Sequence, residues 1–383
     1  MLMQRFQSRL EGQKRSGLYR NPPTIDHREA RVIHLSGKKV LNFSSNDYLG
    51  LGNSKSLGKS IGECFARYGG SSSSSRLVSG NYAVINEAEQ AYADYFGYED
   101  CIFFSSGYQA NLGLLSSLFE NKDCVFFDKH IHASSVKGLS LSGAKIRGFK
   151  HNSMPHLEKR IKANQGQVSA VITEALYSMD GDYLDFAALQ TLKQEYGFLT
   201  IVDEAHTFGV VGEKGKGVAR EVADIAVGTF GKALGLFGAF VLLPKIVKKY
   251  LLNFCSPLIY STPLPEAHAA AAMEILHLLE ASDEARLQLK KVSKAMKSSL
   301  RAAGFHVYGD EHIIAIEIGD EEKALELSQK LLEKKIFVFP ARYPTVPLGK
   351  SILRLSMTSQ HQLEDVELFI NSLLLLNINS KFS

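Results

Sequence analysis

The chain has 383 residues, of which 45% are hydrophobic and 22% charged, and a net charge of only +4. That length supports a large buried core and two domains, or one large domain with a smaller one. The near balance of charge, with no basic block, argues against a nucleic-acid or membrane-surface partner. Cys64, Cys101, Cys124 and Cys255 show no CxxC or metal spacing, so reduced and mostly buried thiols are expected.

Residues 1–45 read as an N-terminal arm. Met1 to Asn21 is polar, without the apolar run of a signal peptide, and its predicted helix must end at Pro22-Pro23. Lys39–Phe43 reads as a strand and Ser44–Leu51 as a turn-rich loop. The run Gly69 to Ser75 sits between periodic segments, so a loop passing close to a ligand fits at least as well as a flexible linker. Ile85–Phe96 has helical periodicity.

Residues 46–280 form the expected large domain. Apolar runs at Cys101–Phe104, Cys124–Phe127, Ala144–Phe149, Val168–Thr173, Phe198–Val202, Ile225–Thr229 and Ala239–Leu243 alternate with helical stretches. In one of these, Asp185 is the expected cap and Phe186, Leu189 and Leu192 the buried face. Continuous apolar strands between helices predict a mostly parallel sheet covered on both faces. The C-terminal segment, 281–383, reads as a smaller α+β domain: helix Asp283–Ala302, strand His312–Ile318, helix Glu321–Lys334, loop Phe339–Pro347, strand Ile352–Met357 and helix Gln362–Leu376. Leu373–Leu376, flanked by Asn371, Asn377 and Asn379, is too short to span a bilayer. A soluble, cytoplasmic α/β protein is expected.

Ligands of such sheets bind beyond the carboxyl ends of the strands. Two strand ends stand out there: Asp203-Glu204-Ala205-His206 and Thr229-Phe230-Gly231-Lys232. A lysine amine for a Schiff base and a carboxylate for a pyridinium nitrogen suit pyridoxal phosphate (PLP). His206 could reach the ring's phenolic oxygen, and so could Ser178. The loop Ser105–Asn111 opens a helix at Gly107 and Tyr108, where backbone N–H groups can take a phosphate, with the Thr229 hydroxyl as a second ligand. His132 follows another strand and could lie on the ring face. His130 and His132 lack a third ligand of suitable spacing, so no metal is expected. Arg20, Arg342 and Arg354 are candidates for carboxylate recognition, Arg354 above all because its neighbours are apolar. A helicase reading of DEAH fails, because Gly349-Lys350-Ser351 has Pro344 where a phosphate loop needs glycine.

Over residues 15–375 the chain resembles the α-oxoamine synthases, PLP-dependent enzymes of fold type I. The motifs are NFSSNDYLGL (42–51), SRLVSGN (75–81), SSGYQAN (105–111), HAS (132–134), SMDGD (178–182), DEAH (203–206), TFGK (229–232), YSTPLP (260–265) and PTVP (344–347). The resemblance implies that Lys232 binds the cofactor and acts as base, that Asp203 pairs with the pyridine nitrogen, and that His132 stacks on the ring. Gly107, Tyr108, Ser178, His206 and Thr229 would complete the cofactor site. Arg354 would take the amino-acid carboxylate, with Arg20, Asn46, His132 and Thr345 at substrate-contact positions. It further implies a homodimer with the active site at the subunit interface. The expected substrates are L-alanine and a pimeloyl thioester on CoA or carrier protein. Glycine with acetyl-CoA, serine with a long acyl-CoA, an aminotransferase reaction and a non-catalytic role remain alternatives. The serine run Ser71–Ser75, Ala341-Arg342-Tyr343 and Thr207-Phe208 depart from the family pattern and bear on the acyl pocket.

Overall fold

The computed structural model describes residues 1–376. They form two compact units. One comprises Met1–Gly50, Ser178–Asp182 and the chain from Leu287 on; the other comprises Leu51–Tyr177 and Tyr183–Arg286.

The larger unit holds a seven-stranded sheet: β1 (Asp100–Phe104), β2 (Cys124–Asp128), β3 (Lys145–Phe149), β4 (Ala170–Glu174), β5 (Leu199–Asp203), β6 (Ile225–Thr229) and β7 (Ala239–Leu243). Their spatial order is β1-β7-β6-β5-β4-β2-β3. The run from β6 to β3 is parallel, and β7 lies antiparallel between β6 and β1. Every residue of β4 and β7 is buried, as two covered faces require. The edge strand β3 instead exposes Lys145, a charge that discourages further pairing.

The helices start where the sequence places polar caps. Ser106 Oγ accepts the Gln109 N–H at 3.2 Å, and helix Gly107–Leu118 then buries Ala110, Asn111, Leu114 and Leu115. Asp185 Oδ1 accepts the Ala188 N–H at 3.0 Å, and helix Phe186–Tyr196 ends at the left-handed Gly197. Leu189 and Leu192 are buried as expected, but Phe186 is only half-buried. Strand β6 carries Gly228 because a Cβ there would overlap the Phe240 ring. That ring belongs to an aromatic cluster with Tyr92, Phe96, Phe208 and Phe230. Phe208 is thus a core residue; Thr207, also buried, bonds Glu204.

In the smaller unit, Val307–Tyr308, Ile313–Gly319, Ser351–Ser356 and Phe339–Ala341 form an antiparallel sheet in that order. The last strand lies inside the loop expected over 339–347. Pro340 is tolerated because the strand is at the sheet edge. A meander of His27–Glu29, Val32–Leu35 and Lys38–Asn42 pairs with Ile336–Phe337. The N-terminal arm is therefore part of this unit. Phe43 anchors it, stacked 4.5 Å from His361.

All four cysteines are free, and all but Cys64 are buried. Among the described residues no helix is long and apolar enough to cross a membrane. Asn377 and Asn379 lie outside those residues.

Candidate active site

Strands β2, β4, β5 and β6 run parallel, so their carboxyl ends open at one edge of the sheet. β5 delivers Asp203, in register with Glu174 on β4 and Val227 on β6. Asp203 Oδ2 accepts from Asn111 Nδ2 at 2.9 Å, and Oδ1 accepts the Ala205 N–H at 2.9 Å. The turn after β5 brings His206 to Lys232, with Nε2 2.6 Å from Nζ. His206 is buried and Lys232 half-buried.

His132 caps helix Ala133–Leu141 through its own ring. Its backbone N–H donates to Glu174 Oε1 at 2.6 Å. Solvent reaches part of the residue, yet the ring is sufficiently enclosed that desolvation lowers its pKa below the usual histidine value. The Asp203 carboxylate opposes this and the Lys232 ammonium adds to it. The shift favours the neutral imidazole.

Thr229 Oγ1 lies 4.0 Å from where a Cβ would stand on Gly107, so these two residues meet. The Thr229 hydroxyl donates to the Gly238 carbonyl at 3.0 Å and accepts the Gly231 N–H at 3.1 Å. Tyr108 stands half exposed beside Gly107. Within the larger unit, then, Gly107, Tyr108, His132, Asp203, His206, Thr229 and Lys232 all sit at strand ends or in the turns that follow them.

The smaller unit holds the remaining candidates. Arg354 is 6% exposed in the middle of strand Ser351–Ser356. Its Nε donates to the Ser178 carbonyl at 2.6 Å and its Nη1 to Ser356 Oγ at 2.5 Å. Ser356 Oγ in turn lies 3.5 Å from Asn46 Oδ1. The guanidinium has no carboxylate partner among the described residues. Beside it, burial pushes the Tyr48 phenol up to about 12, with Arg354 opposing. Arg20 and Thr345 are exposed and their side chains bond neither Arg354 nor Asn46. Arg342, the third arginine considered, bonds the Gly17 carbonyl.

The residues suit PLP on chemical grounds. Asp203 is an anionic partner held by two N–H donors, the Lys232 amine is within reach of His206, and Gly107 at the helix start carries no side chain of its own. Asn111, Ser134 and Glu204 fall within the quoted motifs but, like Glu174, were given no role of their own from sequence. Asn111 carried a signal: it is a polar residue on the apolar face of Ala110, Leu114 and Leu115. Glu204 faces inward, where it accepts the N–H groups of Val218 and Ala219, each at 2.9 Å. Burial raises its pKa, against the pull of those donors and of Thr207.

The aminotransferase class I and II family model matches residues 38–373. A Bacillus cereus protein named "Putative 8-amino-7-oxononanoate synthase" is 36% identical over 377 residues, covering 96% of this chain and 95% of its own. A serine palmitoyltransferase from S. paucimobilis, solved with a bound PLP–myriocin adduct, is 28% identical with a TM-score of 0.90 over 97% of this chain and 98% of that one. An 8-amino-7-oxononanoate synthase from Francisella tularensis is 32% identical with a TM-score of 0.76, over 88% and 98%. Fold and site define a PLP-dependent enzyme of fold type I, and the chain belongs to its α-oxoamine synthase family. Pyridoxal phosphate is its cofactor.

Proposed function

We propose that this enzyme joins L-alanine to a pimeloyl thioester, on CoA or a carrier protein, giving 8-amino-7-oxononanoate, the free thiol and CO₂, as a step toward biotin. The names of its 36%-identical relatives support the product. The observation that carries the amino-acid half is Arg354. A buried guanidinium without a carboxylate partner is costly unless an anionic group of the substrate completes it.

Bound PLP supplies an aldehyde carbon for an amine and a ring that accepts electrons. In this reading Lys232 anchors the cofactor and its Nζ takes the proton from the amino-acid Cα. Asp203 keeps the proton on the ring nitrogen, with Asn111 and the Ala205 N–H holding the carboxylate in place. His132 would stack on the ring, and His206 and Ser178 would serve its phenolic oxygen, as the family resemblance implies. Gly107, Tyr108 and Thr229 serve the phosphate end. Arg354 binds the amino-acid carboxylate in a fork, and Asn46, Arg20 and Thr345 line the substrate path. The proposal extends to a cytoplasmic homodimer.

The second reading follows from the serine palmitoyltransferase structures, which match more of the chain. Thiol release decides between them. Alanine with pimeloyl-CoA should outpace serine with palmitoyl-CoA and glycine with acetyl-CoA. Release confined to the serine pair would replace the proposal.

A further inference from the structure

Asp203 and His132 are joined through two buried side chains. Asn111 Nδ2 lies 2.9 Å from Asp203 Oδ2 and 3.1 Å from Ser134 Oγ. Ser134 Oγ lies 2.7 Å from His132 Nδ1. Asn111 is 3% exposed and Ser134 is fully buried, so solvent does not stand in for either.

The direction of these bonds is set from both ends. A carboxylate oxygen accepts, so the Asn111 amide donates to Asp203 and has its second hydrogen for Ser134. At the other end, the Ser134 backbone N–H donates to His132 Nδ1 at 3.3 Å. Nδ1 is thus a lone-pair acceptor, and the Ser134 hydroxyl gives its own proton to the same atom. The ring proton is left at Nε2.

We propose that Asn111 and Ser134 are positioning residues that lock His132 in the Nε2–H tautomer and fix its ring by tying it to Asp203. A helix cap alone would need only the Ser134 N–H. The amide and the hydroxyl are additions that a cap does not require, and they end on the carboxylate assigned to the cofactor. The lowered pKa of His132 agrees, because protonation at Nδ1 would set the new proton against two donors. The ring is also faced by the Lys232 ammonium, which works in the same direction.

The effect on turnover rests on the reading of His132 as a cofactor partner; the lock itself does not. It is read by ¹⁵N NMR of the full-length, PLP-loaded chain labelled at histidine, with the His132 signals assigned by their loss in His132→Asn. Wild type should show a protonated Nε2 and an unprotonated Nδ1. Ser134→Ala and Asn111→Ala should each shift the ring toward mixed tautomers and lower kcat ~10-fold or more, the usual scale for partners that orient a functional histidine. Ser134→Thr, which keeps the hydroxyl, should restore both. If the alanine variants do not fold, Ser134→Cys keeps the size and donates weakly, so it should give an intermediate tautomer ratio. A proton on Nδ1 in wild type, or folded variants with an unchanged ring, overturns the lock. A locked tautomer in a protein inactive on every amino acid would sink the functional reading and leave the lock standing.

Discussion

Arg76 and Arg354 are both buried, and they are served in opposite ways. In the larger unit, Arg76 Nη2 bonds Glu89 at 3.1 Å and Asn81 at 2.8 Å, and Nη1 reaches the other Glu89 oxygen at 2.5 Å. Glu89 also accepts the Phe103 N–H at 2.8 Å and pairs with Lys248 at 3.1 Å. Every charge there has its counter-charge within the chain. In the smaller unit, Arg354 has a carbonyl and a hydroxyl but no carboxylate among the described residues. The same side chain at similar burial is a closed structural clamp in one case and an open binding group in the other. Satisfaction, more than burial, separates the cation that holds the fold from the one that awaits a ligand.

Lys232, whose Nζ lies 2.6 Å from His206 Nε2, is the cation assigned to the cofactor. Lys232→Ala should abolish the visible absorbance of the bound cofactor and lower thiol release on the order of 10³-fold or more, while urea unfolding stays near wild type. Near-normal turnover would remove Lys232 from the chemistry. Arg76→Met should do the reverse. It leaves Glu89 buried without its main partner and should cost about 3–5 kcal/mol in urea unfolding. Arg354→Met should leave unfolding unchanged or slightly more stable, and raise the amino-acid KM by roughly 30–100-fold, the scale of a lost buried charge pair. If Arg354→Met destabilises as much as Arg76→Met, the division fails.

His268 extends the comparison to a base kept neutral. Burial lowers its pKa to about 4, opposed by the Phe237 carbonyl 2.5 Å from Nε2. An unfolded histidine titrates near ~6.5, so on acidification the unfolded chain binds this proton first. The stability present above about pH 6.5 is therefore lost between there and about pH 4, by roughly 3 kcal/mol. Urea midpoints between about pH 7 and pH 4.5 should fall further in wild type than in His268→Gln; equal losses would mean His268 is not the cause. The smallest effect is expected at Asp185, where Asp185→Ala should cost about 1 kcal/mol by removing one helix cap.

Much of the large sheet was legible because strands buried on both faces are continuously apolar. Ile225–Thr229 and Ala239–Leu243 match to the residue, and most others to within a residue or two. The antiparallel sense of β7 was not legible, since an apolar run has no direction. Phe339–Ala341 was hidden by its proline. The strand-end residues Asp203 and Thr229 and the turn residues His206 and Lys232 were readable because they interrupt or end apolar runs. Asn111 and Ser134 were passed over because each lies within a helix, where a single polar residue usually means a solvated face.

By itself the sequence determined the alternation of strand and helix, the polar residues at strand ends and the family to which they point, because these are written in local periodicity and in unbroken motifs. Only the tertiary structure decided that residues 1–50 and 178–182 join the C-terminal part, that Arg354 has no carboxylate partner among the described residues, and that Asn111 and Ser134 connect His132 to Asp203. The physical reason is that hydrogen-bond satisfaction depends on partners tens to hundreds of residues away, and no local pattern in the chain records them.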